Sequence, residues 1–100
     1  MLSKEQYLLA KIAEEASEVA QMALKCQHFG IYEKQTEDSL NNIQRLLEEY
    51  NDLLGVIRLW NDECSFQFKE NRGAIFDKMI KVRKYAKYSH GLGQIEWNGK

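Results

Sequence analysis

Apolar residues recur at three- and four-residue intervals along the N-terminal part of the chain, with Leu8, Ile12, Ala16, Val19 and Ala23 on one stripe. That spacing follows the turn of an α-helix and predicts an amphipathic one. Ser3 is placed to cap its start and Gly30 to end it, so the helix is expected from about Ser3 to about His28. A polar stretch, Tyr32 to Ser39, separates it from a second stripe of Leu46, Tyr50, Leu53, Ile57 and Trp60. The second helix is expected to begin near Thr36–Ser39 and to run to about Trp60. Asn61–Gly73 is mixed, and the alternation of Phe66 and Phe68 predicts a short helix or a loop tethered by its apolar side chains. A third long helix is expected from about Ala74 to Ser89, stopped by Gly91 and Gly93, with residues 94–100 as a tail whose Trp97 docks on something. The pattern predicts an all-α fold, with three long helices plus one short element, in a single domain spanning 1–100.

Composition agrees. The chain has no proline and six glycines, and good helix formers dominate it. With 44% hydrophobic and 29% charged residues it reads as an ordinary globular protein and not a disordered one. The net charge of −1 sets up no field for nucleic acid or anionic membrane, so specific nucleic-acid binding is not expected. The sign is unevenly placed: residues 1–77 carry 8 basic and 14 acidic side chains, residues 78–100 carry 6 and 1. An acidic body with a basic C-terminal helix can hold both a metal cation and the phosphates that bind it. Cys26 and Cys64 match no zinc spacing and read as thiols of a reducing compartment. No secretory leader and no membrane-length apolar run is read, which makes the cytoplasm the expected location and a membrane partner unexpected.

The first two helices share a register. Residues 11–20 align without gaps on residues 45–54, basic on basic, Glu14-Glu15 on Glu48-Glu49 and Glu18 on Asp52, at an offset of 34. Two acid-x-x-acid pairs result, Glu15/Glu18 and Glu49/Asp52. At about 100° per residue, with Ile12 and Leu46 as zero, Glu15 and Glu49 each fall at about −60°, while Glu18 and Asp52 fall at about −120°. Glu14 and Glu48 point towards solvent. Glu15 and Glu49 therefore sit on the flank of an apolar stripe, where a bare carboxylate is costly unless paired or metal-bound. If the helices pack antiparallel, four carboxylates converge, and four oxygen donors suit Mg²⁺, or Mn²⁺ in its place. The bland alternative pairs these charges with Lys11, Lys25, Arg45 or the third helix. A ferritin-like di-iron site is excluded, because His28 and His90 follow Lys25 and Lys87 at the position where Glu is needed. Both histidines read as helix-end residues.

On the third helix, Lys78, Lys81, Tyr85 and Tyr88 share one side within about 80°, with Lys84 at its edge. Lysines meet phosphate oxygens and tyrosines stack on bases; a solvated amphipathic face is the alternative. Asn61, at the end of the second helix, is a candidate for a phosphate or sugar contact or for a cap. Trp60 is expected in the core.

Glu14-Glu15-x-x-Glu18 followed by Glu49-x-x-Asp52 resembles the signature of the MazG-like all-α nucleoside triphosphate pyrophosphohydrolases, a superfamily that takes in dimeric dUTPases and phosphoribosyl-ATP pyrophosphohydrolase. The apolar run Leu53–Ile57 and the lysine-rich Asp77–Tyr85 segment agree with it, and the resemblance covers roughly residues 5–92. It implies a helical bundle completed as a homodimer or a dimer of dimers, with Mg²⁺ held by Glu15, Glu18, Glu49 and Asp52. The implied reaction is attack of water on the α-phosphorus of a nucleoside triphosphate, giving monophosphate and pyrophosphate; Glu15, on the drier flank, is the expected general base, because desolvation raises a carboxyl pKa towards a useful range. The phosphates and base are then expected to meet Asn61, Lys78, Lys81, Lys84, Tyr85 and Tyr88. The competing readings are a non-catalytic helical-bundle module that binds a nucleotide or partner, and a carboxylate-rich cation-binding module. No EF-hand loop is present to support the latter in that form.

Overall fold

Ser3 starts the first helix as expected. Its Oγ accepts from the Gln6 N–H at 3.1 Å and the Gln6 Oε1 accepts from the Ser3 N–H at 2.9 Å, a reciprocal cap. The computed structural model describes residues 1–97; the part of the expected tail formed by residues 98–100 lies outside the described residues. Helix α1 spans Lys4–Phe29 and ends at Gly30, whose φ of 112° is a conformation that side-chain-bearing residues rarely adopt. Helix α2 spans Asn42–Glu63 and α3 spans Arg72–Gly91. The fold is all-helical, with no strand among the described residues. No described helix is long and apolar enough to cross a membrane.

The chain divides into two compact units, Met1–Phe68 and Lys69–Lys100. In the first, α1 and α2 pack against each other. They run antiparallel: Lys4 Nζ lies 3.1 Å from Glu63 Oε2, joining the start of α1 to the end of α2, and at the other end Asn42 Nδ2 donates to the Gly30 carbonyl at 2.8 Å.

Helix α2 begins later than the sequence suggested because the connector has hydrogen bonds of its own. Ser39 Oγ donates to the Thr36 carbonyl and accepts from the Thr36 N–H, while Asn42 N and Ile43 N donate to the Glu33 and Ile31 carbonyls. Those bonds hold residues 30–41 outside a helix, and Asn41 takes the cap in place of Thr36 or Ser39, reciprocally with Gln44. Asn42 is the buried polar residue of this end, 5% exposed. Asn42→Ala is expected to destabilise the protein by about 1–3 kcal/mol, since it removes the shorter of the two hydrogen bonds to the Gly30 carbonyl, leaving the Glu33 N–H at 3.4 Å. A urea midpoint within error of wild type would show that the connector holds without it.

Buried or half-buried residues of α1 are spaced four, three, four, three, four, at Leu8, Ile12, Glu15, Val19, Met22 and Cys26, with Lys11 half-buried beside them. In α2 the same spacing runs through Asn42, Leu46, Glu49, Leu53, Val56 and Trp60, with Arg45, Leu54, Ile57 and Asn61 also half-buried beside it. This is the 3.5-residue period of two helices meeting along a seam. The two seams are related by the same offset of 34 that aligns the sequences, so the internal repeat is a repeat of helix-packing phase. Compared with the expected apolar stripe, the contact line is turned towards the acidic side: Glu15 and Glu49 lie in the seam itself, and Ala16 and Ala23 are left exposed. Beyond α2 the chain forms a loop instead of a short helix. Trp60 Nε1 donates to the Phe66 carbonyl at 2.7 Å, and its ring packs 5.6 Å from Phe68.

The second unit is built on α3, capped by Asn71 Oδ1 accepting from the Ala74 N–H at 2.9 Å. Gly91 is still part of the helix and Gly93, at φ 75°, turns the chain back. The Trp97 N–H donates to His90 Nδ1 at 3.2 Å, and the half-buried indole lines a groove with Met79 and Val82.

Candidate metal centre

Glu15 lies near the middle of α1 and Glu49 in the second turn of α2, both directed into the seam between them. Glu18, one turn beyond Glu15, reaches the same place from the exposed edge. Each of the three puts one carboxylate oxygen within 4.8 Å of the others. The Oε2 atoms of Glu15 and Glu49 are out of solvent and have no hydrogen-bond partner. Asp52 stands outside this tight group, but near enough that its charge acts on both seam carboxylates.

The electrostatics follow from that crowding. Burial comes first in raising the pKa of Glu15 above its ordinary value, and the negative charges of Glu18, Asp52 and Glu14 add to it. Glu49 is raised by burial, then by the contact and charge of Glu18, then by Asp52 and Glu15. The counterions of the bland reading make their close contacts elsewhere: Lys11 pairs with Glu14 at 3.2 Å, its charge only partly offsetting the rise at Glu15, and the Arg45 guanidinium donates to Gln35 Oε1 at 2.8 Å. Among the described residues no basic side chain comes within 4.0 Å of the Glu15, Glu18, Glu49 or Asp52 carboxylates. Three carboxylates at this spacing have the geometry to hold a cation, and all-oxygen donors suit a hard one.

Beside Glu49 opens a cavity of about 390 Å³, lined also by Met22, Lys25, Leu40, Arg45 and Glu48. Lys25 and Arg45 are the site residues that the sequence offered only as counterions. The signal that could have singled them out is register: Lys25 lies two turns beyond Glu18, and Arg45 one turn before Glu49, on the same side of the hairpin. Glu48, expected to face solvent, is exposed but edges this cavity.

The residues assigned to substrate are distributed otherwise. Asn61 is committed locally: its Oδ1 accepts from the Phe68 N–H at 2.8 Å and its Nδ2 donates to the Phe68 carbonyl at 3.0 Å. It ties the loop after α2 through both its amide oxygen and its amide nitrogen. On α3, Lys78, Lys81 and Tyr85 share one groove of about 390 Å³, Lys84 lines a separate one with Lys87, and Tyr88 lines neither. His28 and His90 lie in the last turns of α1 and α3. Comparison with known proteins finds no matching family profile, no similar curated protein and no similar solved structure.

Proposed function

We propose that the protein is a Mg²⁺-dependent nucleoside triphosphate pyrophosphohydrolase, releasing pyrophosphate and a nucleoside monophosphate. The observation that carries this reading is the pair of buried, unpartnered oxygens on Glu15 and Glu49, close to a third carboxylate and with no basic side chain within 4.0 Å of them. A hairpin that needed only to pack would be more stable with apolar side chains there. The resemblance of the paired acid-x-x-acid motifs points the same way.

Glu15, Glu18 and Glu49 would hold the ion, with Asp52 completing the set. A bound Mg²⁺ neutralises the triphosphate and makes a nearby water more acidic. The chain's own groups do the rest. Lys25 and Arg45 bind phosphate oxygens in the cavity beside Glu49, and the Lys78, Lys81 and Tyr85 groove is a second place for phosphate or base. As water attacks the α-phosphorus, the bond to the bridging oxygen breaks and pyrophosphate leaves with the electron pair. Glu15, its pKa raised by burial, accepts the water's proton. The reading includes assembly as a homodimer or a dimer of dimers in a helical bundle. It also includes a cytoplasmic setting, which suits the free thiols of Cys26 and Cys64.

The test is pyrophosphate release from a panel of canonical and modified dNTPs and NTPs, with Mg²⁺ or Mn²⁺ and with EDTA. Metal-dependent release with monophosphate as co-product supports the reading, and the preferred base supplies the specificity. No release from any substrate, with fold and metal binding verified, favours the cation- or partner-binding module. Within the enzyme reading, Lys81→Ala is expected to lower kcat/KM without unfolding the protein. Unchanged steady-state constants would remove Lys81 from phosphate binding.

A further inference from the structure

Arg45 is a cation set beside carboxylates that it does not pair with. The nearest acids along α2 are Glu48 and Glu49, three and four residues on, the positions at which helical side chains meet. Neither carboxylate comes within 4.0 Å of the guanidinium nitrogens. The side chain turns instead to the connector between the helices, where Nη2 donates to Gln35 Oε1 at 2.8 Å. A residue of the connector, and not of the helix, therefore decides where this half-buried charge stands.

The connector holds Gln35 in place from both sides. Before it, Lys34 bridges Asn41 as an isolated antiparallel pair, and Asn41 is itself the cap of α2. After it, Thr36 is fixed by the Ser39 hydroxyl, which accepts from the Thr36 N–H at 3.0 Å and donates to its carbonyl at 2.8 Å. Gln35 thus stands between two anchored neighbours, on backbone tied to the start of the helix that carries Arg45. The same connector supplies Leu40 to the cavity beside Glu49, where it joins Met22, Lys25 and Arg45.

We propose that Gln35 is a positioning residue for bound phosphate: it holds the Arg45 guanidinium at the edge of this cavity and off Glu48 and Glu49. An arginine released from Gln35 has two acids of its own helix within reach. Pairing with Glu49 would put a fixed positive charge where the metal ion is to bind, and would turn the guanidinium away from the phosphates. A neutral amide restrains Arg45 without cancelling its charge, and one bond to it leaves the remaining N–H donors of the fork for phosphate oxygens. An arginine already ordered also loses less rotamer freedom when a ligand arrives. Only the identity of the bound phosphate rests on the proposed function; the restraint of Arg45 rests on the geometry alone.

Two measurements on the full chain test this. The first is the ¹⁵N heteronuclear NOE of the arginine Nε–Hε groups in metal-free protein, with Arg45→Ala to assign the signal. Arg45 should be ordered in the wild type, lose that order in Gln35→Ala, and keep it in Gln35→Glu, which retains an acceptor. The second is calorimetric titration with inorganic tripolyphosphate in excess Mg²⁺. Arg45→Ala should weaken binding by on the order of 10–100-fold, as the loss of charge-assisted hydrogen bonds does. Gln35→Ala should weaken it by about 3- to 10-fold, and should cost nothing further in an Arg45→Ala background. A connector merely loosened by the substitution would weaken binding equally in both backgrounds, and that additive result overturns the proposal. An Arg45 that is mobile in the wild type, or indifferent to Gln35→Ala, overturns it as well, and so does a wild type that binds no tripolyphosphate. A wild type that shows these effects but releases no pyrophosphate from any nucleotide leaves the positioning role standing and removes the enzyme reading.

Discussion

Glu15→Leu should reduce metal-dependent turnover by at least about 100-fold and, in EDTA, make the protein harder to unfold. The first effect follows from losing a ligand, since even groups that merely orient metal ligands are worth about 10–100-fold. The second follows from the seam. Position 15 is a packing position between Ile12 and Val19, and it holds a carboxylate with one oxygen buried and unpartnered. Leucine matches the apolar neighbours and removes a charge from beside Glu18, Glu49 and Asp52. Glu49→Leu should behave alike. Asp52→Ala separates the two effects: its side is exposed, so turnover should fall with little change in melting temperature. Turnover close to wild type in Glu15→Leu and Asp52→Ala would remove the metal-centre assignment. A lower melting temperature for Glu15→Leu in EDTA would show that the carboxylate is better accommodated than its surroundings indicate.

The same crowding predicts an unusual pH response. The pKa values of Glu15 and Glu49 are raised in the folded state above the ordinary carboxylate value of 4.5. Between the ordinary and the raised value, the folded protein binds more protons than the unfolded chain, so stability must fall as pH rises through that window. Metal-free protein should therefore melt at higher temperature as the pH is lowered from neutrality towards about 4.5, the reverse of what salt-bridged carboxylates give. Mg²⁺ or Mn²⁺ should raise the neutral-pH melting temperature, because a cation bound only to the folded state stabilises it by mass action. It should also flatten the pH slope. Melting curves across pH, with EDTA and with a divalent-ion titration, measure both. A metal-free melting temperature that falls steadily on acidification, together with no shift at saturating Mg²⁺, would be incompatible with this centre.

Much of the fold was legible because the devices that set it are local. Ser3, Gly30 and the apolar spacing bounded α1 to within a residue or two. The start of α2 was not legible in the same way. Thr36 and Ser39 have capping side chains, but they spend them on each other, and only the connector's long-range bonds to Asn42 and Ile43 show where the helix can begin. The repeat between residues 11–20 and 45–54 correctly drew attention to the carboxylates. Their depth was misread by part of a turn, because a stripe centred on Ile12 contains two apolar lines and the sequence does not say which one α2 takes. Asn61 illustrates a different gap. Its spacing from Asp52 suggested a ligand contact, but a side-chain amide pairing with the backbone of Phe68 depends on where the following loop returns.

The connector between the helices has one more implication. A residue inserted within α1 between Leu8 and Cys26, or within α2 between Asn42 and Trp60, rotates everything beyond it by about 100° and breaks the phase that joins Glu15 to Glu49. Residues 30–41 lie outside both helices and do not set that phase, although the Thr36–Ser39 pair and the Arg45 bond to Gln35 hold the middle of the connector. A change of length is thus expected to be least disruptive in the bend at Glu37–Asp38, whose side chains take no part in these bonds. That bend is the place where a tag, an epitope or a cleavage site can be grafted while the carboxylates keep their register.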